Sequence, residues 1–130
     1  MGVTHVTTTV RKITGGGKRY TAEFLVDTGA IDCLAPAEAL RKIGIKPEGR
    51  QVYKLADGKP VEFDYGYARV NFMGAETISR IKFGPDGCEP ILGVVALETS
   101  GIMVDPKTSM LRRVHAIPLK RARCGGELSR

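Results

Sequence analysis

From Thr4 to Lys12 the β-branched residues Val6, Thr8 and Val10 alternate with Thr7, Thr9 and Arg11, a period of two that predicts a strand. Gly15-Gly16-Gly17 interrupts the pattern, and a second extended run, Arg19 to Val26, ends in the apolar triplet Phe24-Leu25-Val26. The two runs predict a hairpin whose second arm enters the core. Leu34 to Gly44 reads as a short helix, because Pro36 falls in its first turn, Leu40 and Ile43 share a face, and Gly44 supplies a stop.

Strand signals dominate the middle of the chain. Gln51 to Leu55, the turn Ala56-Asp57-Gly58-Lys59 and a long run from Pro60 to Phe72 predict a second hairpin, Asp-Gly being a favoured turn pair. Met73-Gly74 offers a turn into Glu76 to Phe83, and Gly84-Pro85-Asp86-Gly87 breaks the chain before Pro90-Ile91-Leu92-Gly93. Val94 to Ser100 predicts one or two helical turns closed by Gly101. A short strand, Ile102 to Val104, a turn at Asp105-Pro106-Lys107-Thr108 and an extended run from Met110 to Leu119 follow. The sum is an all-β chain with two short helices. No fixed-period repeat is visible, but the order apolar strand, glycine, short helix occurs around Gly29 and again around Gly93.

Composition narrows the function classes. A chain of 130 residues, 42% hydrophobic and 26% charged with mean hydropathy −0.10, suits one globular core. The longest apolar run, Ile91 to Leu97, is far too short to span a membrane and contains a glycine. The first residues lack the basic and apolar regions of a signal peptide, so the cytoplasm is the expected compartment. Cys33, Cys88 and Cys124 include no Cys-x-x-Cys pair, and His5 and His115 start no ligand motif, so neither a disulfide framework, a metal nor a cofactor is expected.

The formal charge of +6 is unevenly placed: residues 107–130 hold seven Lys or Arg against Glu127, whereas residues 1–106 hold thirteen of each sign. No interleaved aromatic set or nucleic-acid motif accompanies the basic stretch. The expectation is a folded domain over 1–120 and a basic, flexible tail over 121–130, without a specific nucleic-acid site.

The chemistry concentrates at Phe24-Leu25-Val26-Asp27-Thr28-Gly29-Ala30, where an ionisable group ends an apolar strand and burial would penalise its charge. One reading is an aspartate closing an Asx-type turn on the Thr28 and Gly29 amides. The wider pattern adds another. Two apolar residues before Asp27, Ala30 after Gly29, a helix soon after, the mid-chain Asp57-Gly58 hairpin and Ile91-Leu92-Gly93 before a second helix occur in the order found in the retroviral-type aspartic proteases. From about Val3 to Leu119 the chain resembles a retropepsin, and more closely the bacterial retropepsin-like members of that clan.

That resemblance implies an acid-protease barrel, one lobe per chain, and an aspartic endopeptidase acting on peptide or protein substrates. Its chemistry needs two carboxyl groups sharing one proton, one acting as base toward water and the other as acid toward the carbonyl. The chain offers one such residue, so the resemblance implies a homodimer with one Asp27 from each copy. It further implies active-site support from Thr28, Gly29, Ala30 and Gly93, apolar subsite walls at Leu25 and Ile91, and a flap over the substrate at Ala56, Asp57 and Gly58. Tyr53, just before the flap, is either a strand tyrosine or a contributor to the site. Asp32 is either a substrate anchor or a solvated loop residue.

The chain departs from the retroviral pattern where an acid and an arginine pair, since Ile31 and Val94 occupy those positions. Losing both partners leaves no buried charge unpaired. Two other functions stay open: a non-catalytic dimerisation or peptide-binding module on the same fold, and a Cys33–His115 nucleophile pair, which lacks any local signature.

Overall fold

In the computed structural model, which describes residues 4–114, the first two alternating runs form β1 (His5–Arg11) and β2 (Tyr20–Val26), antiparallel with Val6 opposite Phe24. The chain continues through β3 (Cys33–Pro36), α1 (Ala37–Lys42), β4 (Gly49–Lys54), β5 (Pro60–Phe72) and β6 (Ala75–Gly84). It closes with β7 (Ile91–Leu92), α2 (Val94–Thr99), β8 (Ile102–Val104) and β9 (Leu111–Arg113). The expected all-β architecture with two short helices is therefore what the chain adopts.

The main sheet runs β1-β2-β7-β3-β6-β5-β4, and a further pairing of β1 with β5 closes its first six strands into a barrel. β4 lies outside this ring, joined to β5 alone as a hairpin. Every second residue of the barrel strands points inward, and Val10, Phe24, Val70, Ile81 and Leu92 become fully buried against Leu40 of α1 and Leu97 of α2. At about 25 cal/mol per Å² of apolar surface removed from water, this shared core is what holds the two helices to the sheet. β8 and β9 form a separate two-stranded ribbon.

The hairpin signals were sound. Phe72 pairs with Ala75 across Met73-Gly74, both in positive φ (54° and 75°), the conformation that a two-residue turn matching the strand twist requires. The expected helix from Leu34 needs correcting, because Leu34-Ala35-Pro36 is strand and α1 begins only at Ala37. Pro36 accounts for this: its ring disfavours helical geometry at Ala35, and at φ −59°, ψ 134° it caps the helix from outside. Cys33 to Pro36 then pair in parallel with Ile81 to Gly84. The expected run from Met110 is strand only over Leu111–Arg113, and its continuation to Leu119, with His115, Cys124 and the basic stretch 121–130, lies outside the described residues. No helix among the described residues is long and apolar enough to cross a membrane, and no group of three or more His, Cys, Asp or Glu among them is arranged to hold a metal.

Candidate active site

The short strand β7 sits between β2 and β3, parallel to the first and antiparallel to the second, and this crossing builds the site. Leu25 lies beside Ile91 and Val26 beside Leu92, and the ladder continues one residue further as the Asp27 N–H donates to the Leu92 carbonyl at 3.1 Å. Asp27 therefore follows Leu25 on the outward face of the barrel, while Phe24 and Leu92 face the core. Its side chain is half-buried in the single chain, not enclosed as the apolar strand alone suggested. One carboxylate oxygen accepts the Gly29 N–H at 2.9 Å, and the Asp27 carbonyl accepts the Ala30 N–H at 3.1 Å. The Asx-type turn is thus real, and it fixes one oxygen of Asp27 while leaving the group open to solvent.

The loop after Asp27 is fastened to the start of α2. Val94 and Val95 donate their N–H groups to the carbonyls of Ala30 and Ile31 at 2.8 and 3.3 Å, so the helix's first amides are satisfied by the loop rather than by a capping side chain. Gly93 makes this approach feasible. A Cβ there would come within 2.6 Å of both the Ile31 and Asp32 carbonyl oxygens. Gly29 is less confined, the nearest atom to an added Cβ being its own turn partner, Asp27 Oδ1, at 3.2 Å. Thr28 and Gly29 are exposed, and the Thr28 hydroxyl has no hydrogen-bond partner among the described residues. Ile31, in place of the acid of the retroviral pattern, is 66% exposed beside Val95, itself 37% exposed.

Opposite this loop stands the β4–β5 hairpin. Its turn is closed by Leu55 N–H to Lys59 carbonyl at 2.9 Å and by the Asp57 carboxylate accepting the Lys59 N–H at 2.9 Å, with Gly58 at φ +87°. Ala56, Asp57 and Gly58 are exposed, and among the described residues they make no hydrogen bond to the Asp27 loop. The tie between hairpin and loop is Tyr53, whose hydroxyl donates to Asp32 at 3.0 Å. The two residues whose roles the sequence left open are thus brought together as a hydrogen-bonded pair. Burial, and then the bond to Asp32, hold the Tyr53 hydroxyl above its ordinary pKa, so it keeps the proton it donates.

Register extends the outward face beyond Ile91. Leu25, Ile91, Leu34, Lys82 and Tyr65 are laterally paired on successive strands, a single row of half-buried residues crossing the sheet. Leu25 and Ile91 are brought together as expected; Leu34, Lys82 and Tyr65 were missed. Cys33 points the other way. It is fully buried against Ser79, and burial pushes its thiol pKa up, the opposite of what a nucleophilic thiolate needs.

The structure is similar to the solution structure of the simian foamy virus (mac) protease, at 14% identity and a TM-score of 0.52, covering 72% of this chain and 91% of that one. At that identity the likeness carries the fold: a retropepsin-like barrel. No known family's sequence model and no curated protein matches the chain.

Proposed function

We propose that the protein is an aspartic endopeptidase of the bacterial retropepsin-like kind, active as a homodimer in which two Asp27 side chains, one from each copy, meet at a two-fold axis. The observation that carries this reading is the placement of Asp27. It is an outward-facing carboxylate at the crossing of two parallel strand ends, oriented by the Gly29 amide, beside the apolar pair Leu25 and Ile91, on a loop that the Tyr53–Asp32 bond ties to β4.

Two such carboxylates a few ångströms apart cannot both ionise, so the pair retains one proton. The ionised member takes a proton from water as it attacks the peptide carbonyl. The protonated member donates to the carbonyl oxygen, and collapse of the tetrahedral species transfers a proton to the leaving amine. In this reading Gly29 and Ala30 give the substrate backbone close access, and Thr28 reaches across the axis toward the opposite loop. Ala56, Asp57 and Gly58 close over the substrate and exclude water. Ile31 and Val94 stand where the retroviral ion pair would be, so an apolar contact replaces it. Leu25 and Ile91 favour large apolar residues on either side of the scissile bond. The domain spans 1–120, and removal of the basic residues 121–130 changes attraction to acidic partners while leaving cleavage preference alone.

The test is digestion of an unbiased peptide library between pH 4 and 7, with and without an aspartic-protease transition-state inhibitor. The expected result is inhibitor-sensitive cleavage that Asp27→Asn abolishes while fold and mass are kept. Peptide binding without turnover, equal in wild type and Asp27→Asn, would identify a binding module instead.

A further inference from the structure

The row that begins at Leu25 and Ile91 changes character as it crosses the sheet. Its first three members, Leu25, Ile91 and Leu34, are apolar, and its next two are Lys82 and Tyr65. One step along the same face the register sets Arg80 opposite Tyr67, on the strand beside the Asp32 end of β3. Tyr53 and Phe63 complete the group, their rings 5.9 Å apart.

These cations are held in place by rings rather than by acids. The Arg80 guanidinium lies 3.9 Å over the Tyr65 ring and donates to the Tyr67 hydroxyl at 3.0 Å. Lys82 Nζ lies 4.5 Å from the centre of the Tyr53 ring and 5.8 Å from that of Phe63. The other arginines of the main sheet have acidic partners: Arg11 and Arg69 share Glu76, and Arg50 takes Asp64 and Glu62. Among the described residues neither Arg80 nor Lys82 has a carboxylate within 4.0 Å. The nearby acid, Asp32, is taken by the Tyr53 hydroxyl. Stacking does not consume a guanidinium's in-plane N–H donors, and it fixes the plane in which those not used on the Tyr67 hydroxyl point.

We infer that this end of the cleft is a subsite for an acidic side chain of an extended peptide substrate, with Arg80 as the fork that grips the carboxylate and Lys82 as the second charge. The inference rests on the proposed protease reading and names its substrate class: apolar at the scissile bond, acidic nearby. Lys82 is three strand spacings from Leu25, roughly 14 Å, which an extended peptide covers in about four residues. The acid therefore belongs about two to four residues from the cut, and in a two-fold dimer on either side of it.

The experiment uses matched peptides that share an apolar cleavage site and differ by Glu or Gln at each of those positions. They are assayed for kcat/KM with the wild-type protein and for binding with Asp27→Asn. At low ionic strength the Glu peptide is expected to be favoured about tenfold at one position, and less at higher salt. Arg80→Gln and Lys82→Gln should each lower that ratio, and Lys82→Glu should shift the preference toward a Lys peptide. Cleavage with a Glu-to-Gln ratio near one at every position overturns the subsite and leaves the protease reading intact. Absence of cleavage together with preferential binding of the Glu peptide overturns the protease reading and supports the subsite. Equal binding without cleavage overturns both.

Discussion

The Asp27–Asp32 loop and the β4–β5 hairpin face each other, but they are held in opposite ways. The loop is fastened by main-chain bonds to β7 and α2, and by a glycine, Gly93, that no side chain could replace without displacing two carbonyls. The hairpin tip closes on itself, with every residue from Lys54 to Pro60 exposed and Tyr53 as its side-chain link to the loop. Low contact and exposed backbone bonds put a segment at the easily opened end of a protein's local stabilities. The part that orients the carboxylate is pinned and the hairpin tip is not, which in the proposed reading is the division between a fixed catalytic group and a closing flap.

The largest effect should follow from attacking the rigid side. Gly93→Ala forces a Cβ to within 2.6 Å of two backbone oxygens, so the loop or α2 must shift. A loss of about 2–3 kcal/mol in urea unfolding is expected. Stability equal to wild type would mean that the loop is not pinned there.

A smaller effect should come from the link itself. Tyr53→Phe removes the hydroxyl bond to a half-buried Asp32, at a cost of about 1 kcal/mol or less. Its signature is local: hydrogen exchange should speed up at β4 amides and stay unchanged in β2 and β7. Uniform acceleration would show that Tyr53 supports the whole barrel rather than the hairpin.

The smallest effect concerns Cys33, which lies behind the loop and outside the cleft. Burial raises its thiol pKa above the unfolded value of about 8.5, so its share of stability is present below that pH and is lost as pH rises through the folded value. Alkylating reagents at pH 8 should modify Cys33 only after denaturation, and Cys33→Ser should leave turnover within a few-fold. Rapid labelling of the native protein at Cys33 would contradict its burial.

Local patterns made much of this architecture legible. Alternation marked β1 and β2, Asp57-Gly58 and Met73-Gly74 marked two hairpins, and Gly29 and Gly93 marked the chain just past β2 and β7, the order of which carried the resemblance. β3 was lost because four residues are too few to show a period, and its partners Ile81 to Gly84 are remote in sequence. The restriction that Pro36 places on Ala35 was the signal available for it. The cationic face was less accessible still. Tyr65 with Tyr67, and Arg80 with Lys82, each sit two apart and so share a face, but that these faces coincide depends on the β5–β6 register. Tyr53, Phe63, Tyr65 and Tyr67 interleave with these two cations.

The central claim is that one catalytic unit takes an Asp27 from each of two copies. Wild-type and Asp27→Asn chains can be mixed in equal amounts, allowed to exchange, and assayed at fixed total concentration against a cleaved peptide. If both carboxylates are needed, only dimers of two wild-type chains turn over, and the rate should fall to about one quarter of that of the all-wild-type sample. A fall to about one half would show that each chain acts alone and would contradict the shared dyad.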